Sequence, residues 1–362
     1  MLIDRYLLRA IAAPFAATLA VFMCLLLLIR MADLLNYVIT EGGSVGTLAE
    51  LLVFLVPQYL ALALPVGLLA GMILGFRRLA LGGEWDAMLA GGVSTWRLLR
   101  SPCLFAGLVS ALVLVVSGFL QPLSLYNYER LKFELEHGSD GLSIAAGEFK
   151  HVGDGLVIRA RESRRGGRDL RGVFISKRDE AGSLVIAAAR ARLEPGRAIL
   201  EEGRLIRLGG KPQTASFRTY EIPIIMPHPP AFRARGNHER ELLLPELLRA
   251  DSRVEENAAS AGLARRAAQT AAVLLLPLVG MGLARPPPRK KGGEGLFIGL
   301  ALYLIYNELS LFAERLGFSG QAPSTVLQTV LLLLFASVAI ALFARVAMTA
   351  RWRLRLPLPS PG

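Results

Sequence analysis

Residues 51–76 read LLVFLVPQYLALALPVGLLAGMILGF, 26 consecutive residues without a charge. A hydrocarbon core about 30 Å thick needs roughly 20 apolar residues of α-helix, so this stretch is long enough to cross a bilayer. The pattern recurs on both sides of it. Residues 11–29 hold no charge over 19 positions and residues 101–128 none over 28. Residues 267–284 add a run of 18, residues 295–307 one of 13, and residues 321–344 one of 24. The run at 295–307 reaches spanning length once Glu308 is admitted. The 362-residue chain is 53% hydrophobic and 19% charged, with a mean hydropathy of +0.46. Those values exclude a disordered, collagenous or disulfide-stapled chain. The expected fold is an α-helical polytopic membrane protein with six transmembrane helices.

Between the third and fourth runs lies one long gap, residues 129–266, so the spans divide three plus three. Inside the gap the pattern changes. Residues 155–160, 172–176, 183–189, 197–200 and 204–208 are short, rich in β-branched side chains and bounded by turn residues. Gly153-Asp154-Gly155, Glu194-Pro195-Gly196 and Gly209-Gly210 supply the turns. Strands at this spacing predict an inserted all-β domain of sandwich or jelly-roll type. Residues 242–264 return to a helical pattern. The expected organisation is therefore residues 1–128 as three spans with a short helix near 78–94, then 129–241 as the β domain. Residues 242–266 form a connector helix, and 267–362 hold the last three spans and a basic tail.

Basic residues in the short connections fix the expected orientation. Arg5 and Arg9, then Arg77, Arg78, Arg97 and Arg100, then Arg285, Arg289, Lys290 and Lys291, then Arg345, Arg351, Arg353 and Arg355 fall on one side. The opposite short loops hold only Arg30 and Arg315. The positive-inside rule places both termini in the cytoplasm and the β domain outside. The 25 Lys and Arg of the long gap do not oppose this, because long loops translocate largely regardless of charge. The net charge of +12 is thus a topology signal, with no nucleic-acid partner implied. The first apolar run is too long for a cleaved signal peptide and lacks a small-residue cleavage site. Pro14, Pro57, Pro65 and Pro277 lie inside spans, where neighbouring helices can satisfy the freed carbonyls. Gly67, Gly71 and Gly75 lie on one face of the second span and permit close helix approach.

Signatures of catalysis are missing from the sequence. It carries no phosphate-binding loop of the G-x-x-x-x-G-K-[ST] type and no H-E-x-x-H. Cys24 and Cys103 fall at different membrane depths and cannot build a zinc or iron–sulfur site alone. His137, His151, His228 and His238 are scattered through the gap domain as solvated loop histidines. No metal, cofactor or catalytic residue is expected, and any ATP hydrolysis belongs to a separate chain.

Charges near or inside spans carry more weight, because each costs a few kcal/mol or more at the bilayer centre. Arg30 ends the first span, with Asp33 three residues on; it either pairs locally or faces an anionic lipid headgroup. Arg265 and Arg266 open the fourth span, as phosphate binders or as ordinary basic anchors. Glu308 either lines a cavity or sits at an interface, beside Tyr306, Asn307 and Ser310. The loop at residues 77–96, RRLALGGEWDAMLAGGVSTW, holds a short amphipathic helix from Glu84 to Ala90, stopped by Gly91-Gly92. It is either a docking piece for a cytoplasmic partner or a plain interfacial helix.

The loop resembles the corresponding stretch of the LptF/LptG permease family of lipopolysaccharide export. The counterparts are Arg78-Leu79, Glu84, Ala87 or Ala90, and Gly92-Val93-Ser94. Resemblance extends to Ile3-Asp4-Arg5-Tyr6-Leu7-Leu8-Arg9, Leu64-Pro65-Val66, Gly147-Glu148-Phe149 and the stretch from Gly295 to Tyr306, and so covers nearly the whole chain. Residues 147–160 are closer to the LptF branch than to LptG. Gly82-Gly83 depart from the family's acidic-Ser pair, leaving Glu84 as the main acidic contact. The resemblance implies a permease subunit of an ABC transporter in the Gram-negative inner membrane. Such a subunit extracts lipopolysaccharide and passes it to a periplasmic bridge toward the outer membrane. It implies an LptB-like ATPase dimer docked at Glu84, Trp85 and Asp86, a sister permease (LptG or LptF), and an LptC-like periplasmic jellyroll protein. It also implies a periplasmic jellyroll on this chain, and headgroup contacts from Arg30, Arg265 and Arg266. Other lipid or lipoprotein export permeases place their large external domain after the first span of four. A membrane scaffold without transport is the remaining alternative.

Overall fold

The computed structural model describes residues 2–40, 44–137, 147, 149–151, 156–164, 169–179, 182–194, 197–208, 213–223, 232–236, 239–249, 256–284 and 293–355. Long helices α1 (Leu2–Thr40) and α2 (Val45–Leu81) come first, then the short α3 (Glu84–Ala90) and α4 (Thr95–Val115). One π-helical turn, Val116–Leu120, joins α4 to α5 (Gln121–His137). Six strands follow: β1 (Phe149–His151), β2 (Leu156–Arg164), β3 (Asp169–Asp179), β4 (Gly182–Glu194), β5 (Arg197–Leu208) and β6 (Gln213–Pro223). A 3-10 turn (Glu239–Glu241) and α6 (Leu244–Arg249) lead to α7 (Glu256–Leu283), α8 (Glu294–Phe318) and α9 (Ser324–Arg355). Six helices are long and apolar enough to cross a membrane, three before the sheet and three after it. The expected helical membrane fold with an inserted antiparallel β domain is the one observed.

The chain divides into two compact units. The first comprises Met1–Leu27, Leu55–Leu125 and Arg235–Gly362, the second Leu28–Phe54 and Tyr126–Ala234.

In the first unit α2 is the central helix, with Leu64, Leu68, Leu69, Met72, Ile73 and Phe76 all buried. Its glycine row seats α1. A Cβ at Gly71 would lie 2.8 Å from the Phe15 Cα, and one at Gly75 2.8 Å from the Ala10 carbonyl oxygen. Only the bare backbone allows that approach. Ala10 is also the carbonyl that Pro14 deprives of its helical donor. Pro65 likewise deprives Ala61, and here a neighbour compensates: the Gln269 side-chain amide of α7 donates to Ala61 O at 3.1 Å. A proline inside a span thus becomes a helix–helix hydrogen bond. Val273 and Leu276 of α7, Tyr303 of α8 and Phe335 and Phe343 of α9 complete the core.

Within the expected connector over 242–266, the described residues form α6 and the start of α7, and residues 250–255 lie outside them. Glu246 explains the start of α6. Its carboxylate accepts the Leu243 N–H at 2.8 Å, closing the first turn from the third helical position. The guanidinium of Arg235 donates to both oxygens of the same carboxylate. Burial raises the Glu246 carboxyl, but those hydrogen bonds and the Arg235 charge outweigh it and hold it below its ordinary value.

In the second unit all six strands are antiparallel and hydrogen-bonded in sequence order. Helix α5 runs past the expected boundary at Tyr128 to His137, supported by an i,i+4 pair between Arg130 and Glu134 at 2.8 Å. Strand β5 fuses two expected strands, 197–200 and 204–208, into one. The reason is a crease across the sheet. Regular pairing skips one row, Arg161, Gly172, Ala189, Glu202 and Arg218, in every ladder from β2 to β6. In that row Gly172 has φ 60° and Glu202 φ 53°, and a non-glycine residue in the left-handed region is costly. Buried positions change parity there: Ile186 and Ala188 precede the row on β4, Ala191 and Leu193 follow it. Residues from both sides of the crease form one apolar cluster. The described strands thus form a single creased meander with core residues on both sides of its crease. The turn motifs Gly153-Asp154-Gly155 and Gly209-Gly210, Glu148, and the basic cluster Arg285 to Lys291 lie outside the described residues.

Candidate functional site

Two places in the first unit gather the residues singled out by sequence. The first is α3. Gly83, at φ 73°, turns the chain into it, and Gly92, at φ 83°, turns the chain out. Both positions favour glycine. Glu84 and Asp86 occupy the first turn, where a carboxylate meets the positive helix end. Trp85 and Leu89, one turn apart, face inward and are buried. The Trp85 ring packs edge-on against Phe76 of α2 at 5.7 Å. The expected trio is therefore split. Glu84 and Asp86 are exposed, while Trp85 fixes the helix to the bundle and presents no ring to a partner.

The start of α1 supports α3, a feature the sequence reading missed. The Tyr6 hydroxyl donates to Glu84 Oε2 at 2.5 Å, and Asp4 pairs with Arg97 at 3.6 Å. Ser94 caps α4 by accepting the Arg97 N–H at 3.2 Å. The exposed acid is thus oriented by a hydroxyl far away in sequence.

The second place is a polar pocket of about 240 Å³ where the start of α7 meets the end of α8. Arg265 donates to Glu314 Oε2 at 2.6 Å, with side chains 20% and 8% exposed. Arg266 donates its Nη2 to the Leu242 carbonyl at 2.8 Å. Its Nη1 is buried without a hydrogen-bond partner among the described residues, and so is Ser117 Oγ. Both residues line this pocket, with Gln58, Gln269, Asn307 and Arg240. Ser117 belongs to the π-helical turn, whose wider winding shifts side chains off the regular helical positions. An unsatisfied buried donor costs about 1–3 kcal/mol, more when charged.

Of the expected headgroup residues, Arg265 and Arg266 share this pocket. Arg30 belongs to the second unit, where it pairs with Asp33 at 3.6 Å and both side chains are exposed. Glu308 is exposed and does not line this pocket. Its neighbours Tyr306, Asn307 and Ser310 face inward. Glu314, which the sequence reading passed over, lies on their stripe. Tyr303, Asn307, Ser310 and Glu314 recur at intervals of three or four, the signal that identifies the inward face of α8. Two further bonds stiffen that face: Ser310 donates to the Gln328 side chain at 2.8 Å, and Gln328 returns one to Ser310 O at 2.8 Å.

The second unit holds a groove of about 640 Å³ at the crease, lined by Phe174 and Phe217 together with Arg161, Glu202 and Arg204. Among the described residues no cluster of His, Cys, Asp or Glu has the geometry to hold a metal ion.

A comparison with curated proteins gives no match. The family comparison is different in kind, because it spans the membrane helices and the sheet alike. The chain matches the model of the lipopolysaccharide export system permease LptF/LptG over residues 5–345 and belongs to that family.

Proposed function

We propose that this multi-pass inner-membrane protein of the lipopolysaccharide export permease family acts as the permease subunit of an ABC transporter that extracts lipopolysaccharide from the inner membrane toward a periplasmic bridge. The observation that carries this reading is the family match through all six membrane helices and the inserted sheet. ATP is hydrolysed on a separate LptB-like dimer that docks on α3. Glu84 and Asp86 meet the dimer's cations, Tyr6 holds Glu84 in place, and Trp85 transmits the push into α2 through Phe76. Both termini and α3 lie in the cytoplasm, and the sheet lies in the periplasm.

A sister permease, LptG or LptF, completes the membrane cavity, and an LptC-like protein receives lipid from the sheet. The creased meander suits this task. An apolar interior between two walls shelters acyl chains from water, while Arg161 and Arg204 stand at the groove's edge. Arg265 and Arg266 of the first unit, and separately Arg30 of the second, are contacts for the lipid's phosphates through charge-assisted hydrogen bonds. Glu308 supports a cavity on the outside of α8. It lies six residues before Glu314, roughly 9 Å deeper along the helix at 1.5 Å per residue, and a carboxylate there needs water or a cation.

Copurification from Gram-negative membranes, with mass spectrometry of proteins and lipids, tests the reading. A nucleotide-hydrolysing subunit, a second permease and lipopolysaccharide are expected together. A folded chain recovered with none of them would favour a scaffold.

A further inference from the structure

The pocket beside Arg266 has more donors than the chain itself satisfies. Arg266 Nη1 and Ser117 Oγ are both buried and lack partners among the described residues. Asn307, buried, and Arg240, at the rim, add donors to the same space. One carboxylate, Glu314, answers this set, and it already engages Arg265. Three arginines against one acid leave the pocket with an excess of positive charge. Buried donors of this kind call for acceptor oxygens, and a guanidinium and a hydroxyl lining one pocket suit a tetrahedral oxyanion.

We infer that this pocket is an anion site within the single chain, taking one phosphate group, from a lipid headgroup or from free phosphate. Its volume sets the size. At about 240 Å³ it falls below the range of roughly 300–1,000 Å³ typical of drug-sized ligands. That space accommodates a phosphoryl group. All lining residues belong to the first unit, so the site needs no partner chain. The role of Ser117 accounts for the π-helical turn, which brings this hydroxyl to the pocket of Arg266. Glu314 regulates the site: its charge opposes a second anion and occupies Arg265. The site deepens the proposed function, which gives Arg265 and Arg266 the lipid's phosphates, yet a phosphate can bind whether or not lipopolysaccharide moves.

Binding is measured on the full chain by thermal unfolding in neutral detergent with inorganic phosphate, against chloride at equal ionic strength. The same measurement in that detergent with added phosphatidylglycerol, against diacylglycerol, which lacks the phosphate, separates the sources. Saturable stabilisation by phosphate alone identifies a free-anion site, and stabilisation by phosphatidylglycerol alone identifies a headgroup site. Ser117→Ala weakens the apparent affinity about tenfold, the loss of one hydrogen bond to a charged group. Glu314→Gln strengthens it about tenfold by removing the competing charge. Glu314→Gln cannot mimic this through misfolding, because it predicts a gain. No saturable effect of either probe on the wild-type chain, or one that neither substitution alters, overturns the inference. Copurification of an ATPase and lipopolysaccharide would survive that result, so the two readings fail separately.

Discussion

Glu84 and Glu314 are both glutamates at a helix end in the first unit, and they sit in opposite settings. Glu84 is exposed, and a single tyrosine hydroxyl orients it. Glu314 is buried and carries an arginine. An exposed charge contributes little to folding, because water solvates it almost as well as a partner does. It is therefore available for another protein. A buried pair holds two helices in register, and losing either member strands the other charge. The contrast separates the acid suited to docking from the acid that builds the bundle.

The largest expected effect tests the buried side. Glu314→Ala leaves Arg265 without its counter-ion and lowers stability by about 3–5 kcal/mol, read from unfolding in detergent. If it costs no more than Glu84→Ala, the contrast fails. Trp85→Ala comes next. It removes the edge-on packing against Phe76 and costs about 3 kcal/mol, and it loosens α3, so partner binding falls with stability. Gly71→Ala places a methyl 2.8 Å from the Phe15 Cα and costs about 1–3 kcal/mol as α1 is pushed off α2. A cysteine crosslink between the two helices would report the separation.

Glu84→Ala sharpens the comparison from the other side. Its stability stays within about 0.5 kcal/mol of wild type, while recovery of an ATPase subunit in a pull-down drops. Tyr6→Phe produces a weaker version of the same defect. The smallest effect is in acid. The folded-state carboxyl of Glu246 lies below its ordinary 4.5, so its contribution is complete above that value. It is lost as pH falls through the lowered folded value. Unfolding scans between neutral pH and acid should show Glu246→Gln with a shallower decline than wild type.

The membrane helices are legible in the sequence because a bilayer imposes length and apolarity on every span. Even the break between three and three follows from the gap at residues 129–266. The sheet is less so. Strand β6 carries Thr, Ser, Arg and Glu among its apolar residues, and without a continuous apolar run it passes for a loop. The crease at Gly172 and Glu202 depends on a row that only strand pairing assembles. The sites divide in the same way. The helix at Glu84 stands out by its flanking glycines, yet the inward turn of Trp85 depends on Phe76. Arg265 and Arg266 are visible as a pair at a span's start. Glu314 lies some fifty residues on, hidden by a more conspicuous Glu308. The π-helical turn at Ser117 leaves no mark in a run of Val, Ser, Gly and Phe.

On the proposed function, this chain couples ATP hydrolysis, through Glu84, to extraction of lipopolysaccharide. The direct test reconstitutes the copurified complex in proteoliposomes loaded with lipopolysaccharide and follows its release to a soluble periplasmic acceptor. Release is expected with ATP, absent without it, and lost in Glu84→Ala at unchanged folding. Release that is indifferent to ATP, or unaffected by Glu84→Ala, would contradict the account.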